Sequence, residues 1–561
     1  MNVILVYPRF PVTYWGFQYS LRLIGKRASL PPLGLITVAA LLPNHWNLRL
    51  VDLNVQDLSD DDLQWADLAL TGGLLIQVDS IKETINRARA LKVPVAVGGP
   101  APTTSPDLFC DANVVFRGEA EGRIDELVSG LTRRSESRLV LDAPANRPDM
   151  TTVPAPRFDL LDLSGYVSLS VQYSRGCPFQ CEFCDVIEIF GRKPRVKTPE
   201  QVIDELEAIY RLGYKGQIFF VDDNFIGNKP AVKRLLPIIR DWQRKRSHPF
   251  QLYTEASVDL AADPQLLHSM VDAGFTSVFL GIETPSLKAL EQAKKLQNLR
   301  LDPIEAIDRI TSAGIEVMGG FIVGFDSDGP EIFAQQGEFL GRRPVPLAMV
   351  GILTALPGTA LWRRLKAEGR LRGCSNGDPF SRPNFEPRMD EEALLRGYGE
   401  LMEWLYSPKE YYGRCEAYLR RAGSGSASQA PTLGEVGAFL RAIWHIGVRS
   451  PRRYLFWRLI GRVLLRGRSK LRQAVVHAVQ GEHLIRYTHE HVVPRMEVAL
   501  AEVRAEVEAG RFTLQVRDTT PKGLESMPSL DGASLLAHRP FTHAVHQPTA
   551  RVQPGLAEGR S

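Results

Sequence analysis

The stretch Arg175-Gly176-Cys177-Pro178-Phe179-Gln180-Cys181-Glu182-Phe183-Cys184 puts three cysteines within eight residues, in the spacing Cys-x3-Cys-x2-Cys. It follows an apolar run at 169–174 that reads as a buried β-strand. Three thiolates can hold three irons of a cubane 4Fe–4S cluster, leaving the fourth iron open to a substrate or cosubstrate. Gly176 and Pro178 suit a loop wrapped tightly around an inorganic core. A zinc site is the alternative, but structural zinc wants four ligands and no fourth Cys or His lies nearby. Six cysteines in 561 residues make no disulfide framework, so Cys110, Cys374 and Cys415 are read as dispensable and the compartment as reducing.

Downstream, apolar runs at 217–222, 251–256, 277–283, 316–323 and 348–355 alternate with helix-like stretches. With 169–174 they make six βα units, which predicts an incomplete α/β barrel with its chemistry at the C-terminal strand ends. Polar residues recur at those ends: Asp222, Asp223 and Asn224, then Glu255, then Glu283, with the glycine-rich run from Gly319 and Gly320 to Gly324 after them. For any one carboxylate, a strand-end cap or a salt bridge is the plain alternative.

Upstream, strand-like runs at 3–7, 48–53, 68–71, 93–97 and 114–116 alternate with helical stretches such as 80–91 and 121–131, a five-stranded doubly wound α/β pattern. Gly72, Gly73, Gly98, Gly99 and Gly118 fall at the C-terminal edge of that sheet, where they would let a large flat ligand approach the backbone. Tight turns without a ligand are the other reading. The boundaries follow as 1–140 for this domain, a Pro-rich linker at 141–168, the barrel at 169–375, a helical region at 376–516 and a disordered tail at 517–561, with a flexible Gly/Ser linker at 422–430.

The composition, 44% hydrophobic and 24% charged with a net charge of +4, supports a sizeable core and gives no strong argument for nucleic acid. The N-terminus reads as a strand and not as a signal peptide, and no apolar run is long enough to span a membrane, so a cytoplasmic location is the default. Residues 449–472 hold nine basic residues and no acidic one, with Arg458, Arg462 and Arg466 opposite an apolar face of Leu455, Phe456, Leu459, Ile460, Val463 and Leu464. Such a helix either meets an anionic membrane surface or a lipophilic substrate, or presents a solvated face while packed on the protein.

The cysteine segment resembles the signature of the radical S-adenosylmethionine superfamily. The span from residue 1 to about 510 resembles its cobalamin-binding-domain members, nearest the group with hopanoid C-2 methylases and bacteriochlorophyll side-chain methyltransferases. The matching stretches are Leu30-Pro-Pro-Leu-Gly-Leu35, Val51-Asp-Leu-Asn54, Val97-Gly-Gly-Pro100, Gly118-Glu-Ala-Glu121 and Phe219-Phe-Val-Asp-Asp-Asn-Phe225.

The resemblance implies a Rossmann-like cobalamin-binding domain, a partial (β/α)6 barrel and a helical C-terminal region. It implies a cluster on Cys177, Cys181 and Cys184 with S-adenosylmethionine on the open iron. Glu255 and Glu283 become candidates for the cosubstrate's ribose or methionine part, Gly319 and Gly320 for its adenine, and Asp222 for cosubstrate or substrate. Thr71, Gly98, Gly99 and Gly118 become candidates for cobalamin.

The activity implied is radical methyl transfer to an unactivated carbon of a small or lipophilic substrate, with an electron donor such as flavodoxin or ferredoxin. One cosubstrate would methylate cobalamin and a second would give the 5′-deoxyadenosyl radical. Radical oxidation, cyclisation or rearrangement without methyl transfer is the alternative, and a tRNA-modifying or nucleic-acid-binding protein is the alternative from another class.

One departure matters. Many cobalamin domains carry Asp-x-His-x-x-Gly after the first strand, with the His on cobalt. Here the loop from Pro8 to Gly16 has no His, its bulky residues are Tyr14 and Trp15, and His45 sits between a helix and the second strand, at the wrong edge. Cobalamin, if bound, is expected to be His-off.

Overall fold

Strands β1 (Asn2–Tyr7), β2 (Asn47–Asp52), β3 (Leu68–Gly72), β4 (Val95–Gly98), β5 (Val114–Phe116) and β6 (Leu139–Leu141) make one parallel sheet in the order β2-β1-β3-β4-β5-β6. The structure, a computed structural model, describes residues 1–132, 138–144, 146–342, 345–423 and 433–509. Most of the expected linker at 422–430 and all of the expected tail at 517–561 lie outside these residues.

Alternate side chains of β1 enter separate cores, Ile4 and Val6 on one face and Val3 and Leu5 on the other, which is why these strands read as unbroken apolar runs. The sheet has one strand more than the five expected. β6 is only Leu-Val-Leu, a short and partly exposed edge strand that straddles the expected domain boundary at 140. The strand order reverses direction between β1 and β3, and a doubly wound sheet opens its ligand crevice outside the carboxyl ends at such a point.

The second sheet is the expected partial barrel. Strand β7 (Ser168–Val171) is followed by a short antiparallel pair, β8 (Ser174–Arg175) and β9 (Arg195–Val196), and then by β10 (Gly216–Phe220), β11 (Phe250–Ala256), β12 (Phe275–Glu283), β13 (Glu316–Val323) and β14 (Ala348–Ile352). The six long strands pair in parallel in the order β14-β13-β12-β11-β10-β7. Helices cover the convex face, and their starts are written in the sequence. Thr198-Pro199, Asp263-Pro264 and Asp302-Pro303 each pair a capping side chain with a proline preset for the first turn.

The helical C-terminal region closes the structure. Tyr398 and Tyr406, on and just after the helix Glu391–Leu405, donate to the carbonyls of Val350 (2.9 Å) and Ala348 (2.8 Å), so the outer edge of β14 is hydrogen-bonded and covered. The expected basic helix is present as Arg453–Leu464, with Leu455, Phe456, Leu459, Ile460 and Val463 buried. Leu464, expected on the apolar face, is exposed at the helix's last turn. Among the described residues no helix is long and apolar enough to cross a membrane.

A long-range clamp joins the chain's two ends. His483, buried in the helix Leu471–Tyr487, bonds through Nε2 to the carbonyls of Thr13 (2.9 Å) and Tyr14 (3.1 Å), and Nδ1 accepts from the Tyr19 amide. Burial pushes the imidazole down to about 4, outweighing those two carbonyls, so the ring is neutral and held in one tautomer. Replacing His483 with Ala should cost about 1–3 kcal/mol at neutral pH, because two carbonyls lose their donor. The folded pKa lies below the unfolded one, so this contribution is complete above about pH 6.5 and is lost as pH falls toward 4. Melting curves of wild type and H483A should therefore converge on acidification, and a gap that is constant with pH would contradict the assignment.

Candidate active site

Asp222, expected to face cosubstrate or substrate, is fully buried just beyond β10. Its carboxylate accepts from the Tyr173 amide (3.1 Å) and from both the amide and the hydroxyl of Ser174. Its neighbour Asp223 accepts from the Gly176 amide at 3.1 Å. Asn224 donates to Ser257 Oγ at 3.2 Å and approaches Cys177 Sγ at 3.9 Å. Asp222 and Asp223 thus hold the backbone leading into the cysteine loop, a positioning task at odds with a cosubstrate contact for Asp222. Gly176 is required there: its φ is +92°, and a Cβ would lie 2.7 Å from the Gly191 carbonyl.

The same loop is fixed from the N-terminal sheet. Arg175 donates to Glu119 Oε2 and Glu121 Oε1, both at 2.8 Å, and Arg195 donates to Glu119 Oε1, also at 2.8 Å. Burial would raise the Glu121 carboxyl, but Arg175 outweighs it and holds the group below its usual range. Gly118, expected at a ligand-facing edge, instead makes the turn that delivers these glutamates. Its φ is +84°, and a Cβ would meet that of Ala143 at 2.8 Å. At its far end the loop is tied down by Glu182, whose side chain pairs with Arg364 and whose amide donates to the Ala293 carbonyl.

Among the described residues no three Cys, His, Asp or Glu side chains converge as for a single metal ion. Burial raises the Cys177 and Cys184 thiols, so bound iron is what would make thiolates there. Gln297 points its amide nitrogen at Cys181 Sγ (3.6 Å) while its oxygen is buried without a partner.

The concave face of the barrel follows by alternation. Phe219 stacks on Tyr253 with centroids 4.7 Å apart, and Glu255 lies two residues beyond. Burial, then the charges of Asp223 and Asp222, push the Glu255 carboxyl up to about 8. Glu283 closes β12 with φ +67°, a left-handed conformation strained for a residue with a side chain. Asn298 holds that turn by donating to the carbonyls of Gly281 (2.9 Å) and Ile282 (3.0 Å).

Glu283 pairs with Lys295 at 2.6 Å over the bare Cα of Gly281. Burial would lower the Lys295 ammonium, but Glu283 and then the Cys181 sulfur outweigh it and raise it. Lys295 escaped sequence reasoning because only the fold brings it beside the cysteine loop.

The glycine pair on β13 differs from expectation. A Cβ on Gly319 would meet the Phe321 ring at 2.7 Å, and one on Gly320 would meet the Phe279 ring at 2.6 Å. Protein side chains therefore fill the space beside both, because successive strand residues face opposite ways. On the N-terminal sheet, a Cβ on Gly72 would lie 2.1 Å from the Gly98 carbonyl, and Gly99, at φ +98°, packs against Gly73. These glycines serve the mutual approach of β3 and β4. Thr71 is the exception to this closed packing: its Oγ1 is buried with no hydrogen-bond partner, at the crevice between β1 and β3.

In the loop after β1, Tyr14 is fully buried and shares a hydrogen bond with the Tyr406 hydroxyl, so it is not free to meet cobalt. Trp15 reaches across to the barrel, edge-on to Phe279 (5.4 Å), with its indole nitrogen 2.9 Å from Met349 Sδ. His45 is exposed beside the start of β2, at the edge opposite the crevice, as expected.

Comparison with known proteins agrees with this architecture. Residues 171–335 match the radical SAM superfamily, and residues 359–495 match a domain of unknown function, DUF4070. The chain is 41% identical to the uncharacterized methyltransferase sll1242 of Synechocystis, over 87% of this chain and 92% of that one. It is 36% identical to the hopanoid C-2 methylase of Rhodopseudomonas palustris, over 87% and 94%. Its fold matches that of the radical S-adenosylmethionine methyltransferase TsrM from Kitasatospora setae, solved with cobalamin and a 4Fe–4S cluster, with a TM-score of 0.55 at 15% identity, covering 87% of this chain and 99% of that one. The chain carries a radical S-adenosylmethionine domain and belongs to the family of the hopanoid C-2 methylase.

Proposed function

We propose that this enzyme methylates an unactivated carbon of a lipophilic, polycyclic substrate, with cobalamin held at the β1/β3 crevice and a cluster on Cys177, Cys181 and Cys184. The substrate class extends to this chain what the name of the hopanoid C-2 methylase says of that relative. The single observation that supports the reading best is the joining of the two sheets. The loop after β1 touches the concave barrel face through Trp15, and the cysteine loop is bonded to the end of β5 through Arg175. Ligands of the two halves would then face one another. We assign residues 1–140 to cobalamin and 169–375 to radical chemistry, with 376–516 as a helical C-terminal region.

When bound, the reduced cluster supplies one electron to S-adenosylmethionine, and cobalamin supplies the methyl carrier. The chain's own part is position and exclusion of water. Asn224 and Gln297 direct amide N–H groups at Cys177 and Cys181, which tunes a cluster as well as orienting it. Lys295 presents a fixed positive charge beside the sulfurs, and Glu283 holds it there. Glu255, which accepts no side-chain hydrogen bond from the described residues, offers a carboxyl to the polar part of the cosubstrate. Phe279, Met349 and Trp15 make an apolar wall suited to a hydrocarbon. Thr71 Oγ1 is the unpaired polar atom at the cobalamin crevice. A flavodoxin or ferredoxin is the expected electron donor.

Four measurements test this. Anaerobically reconstituted protein should hold about four irons per chain. Joint replacement of Cys177, Cys181 and Cys184 by Ala should abolish the cluster's visible absorbance, whereas C110A, C374A and C415A should keep it; loss in C374A alone would overturn the ligand set. Turnover on the true substrate should release S-adenosylhomocysteine together with 5′-deoxyadenosine. Release of 5′-deoxyadenosine alone would support radical oxidation or rearrangement instead. Bound Co(II) cobalamin should show no nitrogen superhyperfine triplet in its electron paramagnetic resonance spectrum, since the Pro8–Gly16 loop has no His and His483 uses both ring nitrogens elsewhere. A triplet would refute the His-off assignment.

A further inference from the structure

Eight of the nineteen exposed large apolar side chains among the described residues lie in the short stretch 436–465. There the helix Leu433–Ala442 runs into the wider π-type turns Ile443–Arg449, and the helix Arg453–Leu464 follows. Val436, Leu440, Trp444 and Val448 are all exposed at four-residue steps. On an α-helix such steps drift around the axis, and the wider turns reverse the drift, so the four stay on one face. On and just after the second helix, Tyr454 (65% exposed), Trp457 and Leu465 (88%) fall on one exposed face. Trp457 joins the two faces, donating to the Gly447 carbonyl at 2.8 Å.

The charges around this ridge have one sign. Residues 436–472 contain no acidic residue. Arg452 and Arg462 are paired, with Glu482 and Glu416 of other helices, and have the plain structural role of surface cations on a packed helix. Arg449, Arg453, Arg458 and Arg466 are exposed and have no ion-pair partner among the described residues. Tryptophan and tyrosine beside unpaired arginines around exposed leucines match the depth profile of an anionic lipid headgroup layer: aliphatic tips inward, aromatic rings at the boundary, guanidinium groups on phosphate.

We propose that this two-helix ridge docks the enzyme on the surface of an anionic lipid bilayer, without crossing it. The first of the two helices is tied to the N-terminal region. Arg441 donates to the carbonyls of Leu23 (3.3 Å) and Ile24 (2.9 Å) at the end of the helix Gln18–Ile24, which continues from the loop carrying Trp15. Docking rests on the ridge alone, so it stands or falls separately from methyl transfer.

The test is cosedimentation of the full-length chain with vesicles. The protein should pellet with one-to-one phosphatidylglycerol:phosphatidylcholine vesicles at low salt, far less at about 0.5 M salt, and little with phosphatidylcholine alone. An exposed arginine near such a surface is worth roughly five-fold in partitioning, so R453Q/R458Q should bind about 25-fold more weakly. L440Q/L465Q should also lose binding while retaining the wild-type circular dichroism spectrum and melting temperature, which shows that the fold survives. Equal pelleting with neutral and anionic vesicles, unchanged binding of both variants, or failure to pellet would overturn the proposal. So would concentration-dependent dimerisation abolished by L440Q/L465Q without vesicle binding, because the ridge would then be an interface between two copies.

Discussion

Arg175 is the residue on which the site depends. A guanidinium with almost no access to solvent must have its charge met inside the protein, and here two carboxylates meet it, one on each arm of the fork. Those carboxylates come from the end of β5 in the first sheet, while Arg175 opens the cysteine loop of the second. The pairing therefore fixes the distance between the two functional edges. Removing one partner would strand a buried charge, at a cost of about 3–5 kcal/mol. Such triads are poor sources of net stability but strict in geometry, since a bidentate fork tolerates little rotation. Arg195 adds a second cation on Glu119, so the node stays balanced when Arg175 also contacts Glu121.

Around that node the cysteine loop is held from several directions, which explains why so many polar residues recur in its neighbourhood without facing the cavity. Asp222 and Asp223 hold its amides from β10, and Glu182 anchors its end to Arg364. A loop carrying three thiols has almost no side chains with which to hold itself, so its shape must come from outside. The polar groups beside the cysteine sulfurs and on the concave face include Glu255, the Glu283–Lys295 pair and the amides of Asn224 and Gln297. That division between holding and facing is a physical property of the site, and residue type alone does not reveal it.

What could be read from the chain in advance follows from the range of each interaction. Cys-x3-Cys-x2-Cys is local, and so is the period of the strands; β13 was legible to the residue at 316–323. The sixth strand of the first sheet, three partly exposed residues at its edge, was missed, whereas β5, equally short but buried throughout, was read. Glycine motifs were read as openings for ligands, whereas Gly118, Gly319 and Gly320 turn out to admit a turn, a Phe321 ring and a Phe279 ring. Asp222 was assigned to a ligand because a strand-end carboxylate gives no sign of whether it points at solvent, cavity or a neighbouring amide. The contacts that decide these cases span 48 residues for Asp222 with Ser174 and 56 for Arg175 with Glu119, beyond the reach of any motif.

The longest of these contacts has a consequence for biosynthesis. The carbonyl of Thr13 waits for His483, 470 residues downstream. At ribosomal speeds of about 5–20 residues per second, that separation corresponds to roughly half a minute to a minute and a half of elongation. During this time the first sheet has the strands it needs to form, but the loop at its working edge lacks the helix that shapes it. The nascent chain would thus carry a sheet that folds early and a mouth that matures last.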